Sequence, residues 1–259
     1  MKDSPHQFRQ ADPLVWRLVR KVLVSQMRAA LRKVLSTREI TINRQACRLS
    51  RADVGRLSAG LETEAANLRP HSELRSLPKS GNRLMVEFAV YTAAAGILFR
   101  RAGLDDTEAR RVLADTGWVI YSRMLRLASL PGHISTRDPA KRLQRTIRLL
   151  LRFPFSASAA PGYAVLVTQT AEGIKTRFTH CPPQSAARRI ADAIGDPDVM
   201  RDFRASWCQY DWPGADLIAG DGCGGHYTRP RTLSAGDTVC DMCWSGTSTC
   251  TINAKKRKK

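Results

Sequence analysis

Residues 154–183, PFSASAAPGYAVLVTQTAEGIKTRFTHCPP, divide the chain. The first ten are mostly small, with two prolines and a glycine, the composition of a linker. YAVLVTQT (163–170) and IKTRFTHC (174–181) follow as strand-like runs, and the AEG turn between them predicts a hairpin. Pro182-Pro183 stops the second run. Upstream of this stretch the apolar spacing is helical. Downstream, short helices and strands mix. The predicted class is therefore α+β: a helical N-terminal part, then a small mixed α/β C-terminal part with an antiparallel sheet. The predicted organisation is a basic helical region over 1–152, an α+β region over 153–254 and a lysine-rich tail over 255–259.

In the first region, residues 12–35 predict a helix. Asp12-Pro13 supplies an N-cap and a proline at the first helical position. Val15, Val19, Val22, Leu23, Met27, Ala30, Leu31 and Val34 recur at helical spacing, while Arg17, Arg20, Lys21, Arg28 and Arg32 crowd another face. Ser50, with Asp53 three residues on, starts a second helix reaching residue 68. RSLPKSGNR (75–83) reads as a loop. Residues 84–102 are apolar around most of a helix's circumference, which predicts burial. Asp105-Asp-Thr-Glu108 resembles a capping box for a long helix to about residue 128. LPGHISTRDP (130–139) breaks the chain, and 140–153 make one more basic helix. Past the hairpin, helices are expected over 184–194 and 197–207. A Gly/Asp-rich loop, a strand over 226–233, the turn SAGD (234–237) and a last strand over 238–244 complete the chain.

The net charge is +19 in 259 residues. Residues 153–254 hold 8 Lys/Arg and 10 Asp/Glu, and the tail KKRKK adds five cations, so the first 152 residues carry +16. A basic amphipathic helix suits an anionic membrane surface or nucleic acid; the same pattern also describes a solvated face over a packed stripe. No aromatic residues interleave with the charges as base stacking would need, and no nucleic-acid reading motif occurs. MKDSPHQFRQADP lacks the apolar core of a secretory signal. The apolar run 84–99 contains Glu87 and is shorter than the roughly 20 residues of a membrane span. The expected compartment is the cytoplasm, where the seven cysteines would be mostly reduced.

Six of those cysteines fall in the last third. Cys240-x-x-Cys243 has the spacing of half a zinc site, and Cys223 with His226 would complete a Cys3His set. Against this, a strand over 238–244 sends residues 240 and 243 to opposite faces; Cys240 then faces a site and Cys243 packing. A thioredoxin-type redox pair needs a following helix, and none follows Cys243. No cofactor is expected, with zinc as the alternative. For nucleophilic or acid–base chemistry the candidates are Cys208 near Asp211, Cys240 beside Asp241, and His180-Cys181 at a strand end. A thiol needs a base or a cation beside it to react, and His180, His226, Arg229 and Arg231 are at hand. For any single cysteine the favoured reading is a small buried hydrophobe; for the set that reading is weaker.

Arg229-x-x-Thr232-Leu233-x-x-Gly236-x-x-x-Cys240-Asp241, with Cys208-x-x-Asp211 ahead of it and a strand ending in Cys181, resembles the C-terminal signature of the L-2-amino-thiazoline-4-carboxylic acid hydrolase-like family. LPKSGNRLMVEFAVYTAAAGILFRRAGLDDTEARRVLAD (77–115) is similar to that family's helical half. The resemblance implies a hydrolase that opens a cyclic amidine-type ring at its C–N or C–S bond. It implies a small substrate bearing a carboxylate, bound through Arg229, Thr232, His180 and Cys181. Cys208 or Cys240 would attack, and Asp211 or Asp241 would handle protons. The alternative is a non-catalytic module, zinc-stapled or sensing a small molecule.

Overall fold

The computed structural model describes residues 14–156 and 159–247. Asp12-Pro13, Cys250 and the lysine-rich tail lie outside the described residues. The class is α+β, with helices dominating the N-terminal part and a small antiparallel sheet in the C-terminal part.

Helix α1 (Leu14–Leu35) turns Leu23, Met27, Ala30, Leu31 and Val34 inward. It is followed by an unforeseen hairpin of β1 (Ile40–Ile42) and β2 (Gln45–Cys47). Asn43 and Arg44 make its two-residue turn, both with positive φ (49° and 65°), as such tight turns require. The single helix expected over 50–68 is two, α2 (Arg51–Ala59) and α3 (Leu61–Leu68), separated at Gly60. The Ser50–Asp53 capping box starts α2.

Helix α4 (Ser80–Arg101) is buried along nearly its whole length and is the axis of the fold. It begins four residues earlier than its apolar run, inside the expected loop. Glu87 lies fully buried within it. Its two oxygens take Arg20 Nε at 2.7 Å and Arg69 Nε at 3.0 Å. Arg69 also donates to Tyr91 Oη at 2.8 Å, and Tyr91 donates to Glu62. A charge placed in an apolar helix is tolerated only with such partners. Here it ties α1 and α3 to the axis.

Helix α5 (Asp106–Ser135) is capped by Asp105 and continues through Pro131 rather than ending near residue 128. Proline removes one backbone N–H, but Pro131 and Leu127 are exposed, where water can satisfy the freed carbonyl. Helix α6 (Pro139–Arg152) follows, with Asp138 as N-cap.

The hairpin strands are β3 (Ala164–Gln169) and β4 (Gly173–His180), followed by α7 (Pro182–Ile194) and α8 (Asp198–Ala205). The expected Gly/Asp loop instead opens with helix α9 (Asp211–Ala219). Pro213 sits in its first turn, where a missing N–H costs nothing. Gly214 lies against Leu125 of α5, where a Cβ would come within 2.8 Å of the leucine. The strand expected over 226–233 is only β5 (Tyr227–Thr228). With β6 (Cys240–Ser245), the sheet has the order β3-β4-β6-β5, every pair antiparallel. Ala186, Ile190, Phe203 and Cys240 share one hydrophobic core with α4, so packing is continuous across residue 153. Among the described residues, no helix is long and apolar enough to cross a membrane.

Candidate functional site

Strand alternation builds the site. Along β4, Ile174, Thr176 and Phe178 face inward; along β6, Cys240, Met242 and Trp244 do the same. Helices α4, α5, α6 and α8 close over this face and leave a cavity of about 110 Å³. Most of its lining is aliphatic or aromatic, including Leu150, Phe155, Phe178, Phe203 and Trp207.

One wall carries the chemistry. Cys181 follows β4 as the N-cap of α7, Cys208 lies in a 3-10 turn before α9, Asp211 opens α9, Arg229 follows β5 and Cys240 opens β6; all five line the cavity. Asp211 Oδ2 accepts from Arg229 Nη1 at 3.3 Å and from Tyr227 Oη at 3.2 Å. Arg229, almost fully buried, also donates to the Cys208 carbonyl and lies 4.6 Å over the Trp212 ring. Its buried Nε has no hydrogen-bond partner. Burial pushes the Asp211 carboxyl up to about 6, against the pull of Arg229 and Tyr227.

The three thiols differ. Burial pushes Cys208 up to about 11 despite a bond from Ser234 and the nearby Arg229. It raises Cys181 well above the usual thiol range, although the Gln184 amide hydrogen-bonds its sulfur. Cys240 Sγ accepts from the Leu233 N–H at 3.2 Å and lies 3.4 Å from Thr232 Oγ1. The Thr232–Asp237 turn that presents them is closed by Gly236, whose φ of 101° suits glycine.

Several expected residues lie elsewhere. Asp241 does not share the site: it occupies the opposite face of β6, where Arg231 (2.8 Å) and Arg177 pair with it and hold its carboxyl low. The reason is the two-residue period of a strand, which separates Cys240 from its neighbour. Thr232 touches Cys240 but does not line the cavity. His180 borders a separate shallow groove. Its Nδ1 donates to the Gly162 carbonyl at 2.6 Å, leaving Nε2 to accept from Ser185 Oγ at 3.1 Å. Cys243 is on the outer face beside Lys175 and Thr228, partly buried.

The alternative zinc set of Cys223, His226, Cys240 and Cys243 is not assembled. Cys240 and Cys243 diverge, and both ring nitrogens of His226 face oxygens, of Ser245 at 2.8 Å and Asp221 at 3.1 Å. Cys223 is disulfide-bonded, so it is not free to join such a set. Among the described residues no cluster of His, Cys, Asp or Glu is placed to hold a metal ion.

Tyr227, Trp212 and the Leu233 N–H were not foreseen as site groups. The signal for the first two was adjacency: each is an aromatic next to a polar candidate, and a buried arginine needs a flat partner. A backbone N–H leaves no trace in residue identity. No family model, curated protein or solved structure matches the chain.

Proposed function

We propose that the chain is a small-molecule hydrolase acting in this cavity on a ring of the cyclic amidine type, as in the aminothiazoline carboxylates. The observation that carries the reading is the convergence of Cys240, Asp211 and Arg229 on one largely apolar cavity. The apolar walls suit a flat ring and exclude water. The unpartnered Nε of Arg229 offers a buried donor to the substrate carboxylate.

In this scheme Cys240 attacks the amidine carbon between the ring heteroatoms. Its thiol proton passes to Asp211, which returns it to the ring nitrogen or sulfur as that bond breaks. Water then displaces Cys240 sulfur, with Asp211 again taking and returning the proton. A carboxyl near 6 is mostly ionised at neutral pH and remains a usable acid. Cys208 and Cys181, kept protonated by burial, serve as wall.

The test is turnover of 2-aminothiazoline-4-carboxylate by purified protein, with ring opening read by mass spectrometry. Cys240→Ser should reduce the rate by about 10²–10⁴-fold while the fold is kept. Normal turnover by that variant would exclude Cys240 as nucleophile.

A second reading is binding without reaction, as in a small-molecule sensor. The raised Cys208 and Cys181 thiols and the apolar lining favour it. Both readings require ligand-dependent quenching of Trp207 or Trp244 fluorescence; only the first requires a product.

A further inference from the structure

The largest feature outside the cavity is an exposed apolar surface on the helical region. In α1, Leu14, Val15, Leu18 and Val22 are all more than half exposed. In α5, Leu127, Leu130 and Ile134 are equally open, Ile134 at 78%. Residues at these spacings form one stripe along each helix.

Two contacts set the stripes side by side. Arg38, just past α1, pairs with Asp115 in the first half of α5. Arg123 of α5 donates to Gln26 of α1 at 3.3 Å. The helices are therefore antiparallel, and stepping back from Gln26 as α5 advances from Arg123 brings Val22 level with Leu127 and Val15 level with Ile134. Gln26 continues the α1 stripe by one turn and Arg123 begins the α5 stripe, so both stripes flank the same seam. On the other side of α5, a groove is lined by Pro131 and by Arg145, Arg148, Leu149 and Arg152 of α6. Leu149 and Phe153 are exposed there as well. Nine of the thirteen exposed large hydrophobic side chains among the described residues thus lie on these three helices or at their ends.

The surrounding charge is predominantly positive, although Glu62 stands beside Arg17 and Lys21. Neither α1 nor α6 contains an acidic residue, and α5 has none after Asp115. Arg17 and Lys21 of α1, Arg123 and Arg126 of α5, and the α6 arginines 145, 148 and 152 are exposed around the apolar residues.

We infer that this face lies on an anionic lipid surface. Aliphatic side chains that enter the acyl boundary, ringed by cations that meet lipid phosphates, are what interfacial binding requires. A second copy would bring the same cationic rim against itself in a two-fold contact. A nucleic acid would use the cations but leave the Leu, Val and Ile side chains in water, and neither stripe holds an aromatic residue for base stacking.

The test is vesicle flotation of the full chain with phosphatidylcholine alone and with about 30 mol% phosphatidylglycerol. The expected result is binding to the anionic vesicles only. Leu18→Glu/Leu130→Glu should weaken it by about tenfold or more, with the melting temperature kept. Arg145→Glu/Arg148→Glu should weaken it too. Residues 255–259 are unchanged in both variants, so binding driven by that tail would survive and would overturn the inference. It is equally overturned if neutral vesicles bind as well, if Leu18→Glu/Leu130→Glu converts a wild-type dimer to a monomer, or if duplex DNA is bound with no vesicle binding.

Discussion

Two of the chain's carboxylate–arginine pairs, at Glu87 and at Asp211, have different surroundings. Glu87 in α4 is fully buried and does not border the cavity. Each oxygen has its own arginine, and the network closes through Tyr91 and Glu62. Around Asp211 a cavity remains. Both of its donors meet one oxygen, Oδ2, and the partner Arg229 keeps a buried donor without an acceptor. The same pair of functional groups is a structural tie when saturated and packed. It becomes a candidate reactive wall when it borders empty volume and thiols. Charge burial alone does not mark a functional site; incomplete partnering beside a cavity does.

That contrast can be broken by mutation. Glu87→Ala should have the largest effect on stability, about 3–5 kcal/mol by urea unfolding, because it removes the buried carboxylate that Arg20 and Arg69 share. A loss comparable to a surface substitution would show that the network is not a tie. Next, Gly117→Ala should cost about 1–3 kcal/mol. A Cβ there would fall within 2.1 Å of Tyr210 Oη, which donates to the Ala114 carbonyl at 2.7 Å. The ring it displaces packs on Trp207 of the cavity wall, so ligand-induced quenching should also diminish.

The pH dependence of stability should show a smaller effect. Burial raises Asp211 to about 6 and, at α8, Asp202 to about 6. A carboxyl raised in the folded state binds its proton more tightly there than in the unfolded chain. Its contribution is therefore full below about pH 4 and is lost as pH rises through about 6. Asp211→Asn should remove part of the fall in melting temperature over that window and leave the share due to Asp202. An unchanged slope would place the proton elsewhere. Least in energy but sharp in outcome, iodoacetamide at neutral pH should modify Cys243 well before Cys208 or Cys181, read by peptide mass. Early labelling of Cys208 would contradict its burial and raised thiol.

Much of this was legible in the residues. Helical apolar spacing gave α1, α4 and α6, and the capping residues Ser50 and Asp105 begin helices where they stand. The β-branched runs flanking AEG gave the β3–β4 hairpin. What escaped follows from local rules with tertiary exceptions. Pro213-Gly214 reads as a breaker, yet the proline falls in a first turn and the glycine admits α5. Pro131 reads as a stop, yet it stands on a solvated face. Asn43-Arg44 lacks the glycine that usually announces a two-residue hairpin. For the site, the alternation that separates Cys240 from Cys243 separates it equally from Asp241. The convergence of Cys181, Cys208, Asp211, Arg229 and Cys240 could not be read from spacing, because five separate segments bring them together.

The most direct test of the cavity as a hydrolytic site is the pH–rate profile of 2-aminothiazoline-4-carboxylate ring opening, wild type against Asp211→Asn. If Asp211 acts as the ionised base, kcat/KM in the wild type rises through an apparent pKa near 6. The variant loses that limb together with at least about a hundredfold of the rate. A variant that keeps the wild-type rate and profile would contradict the account.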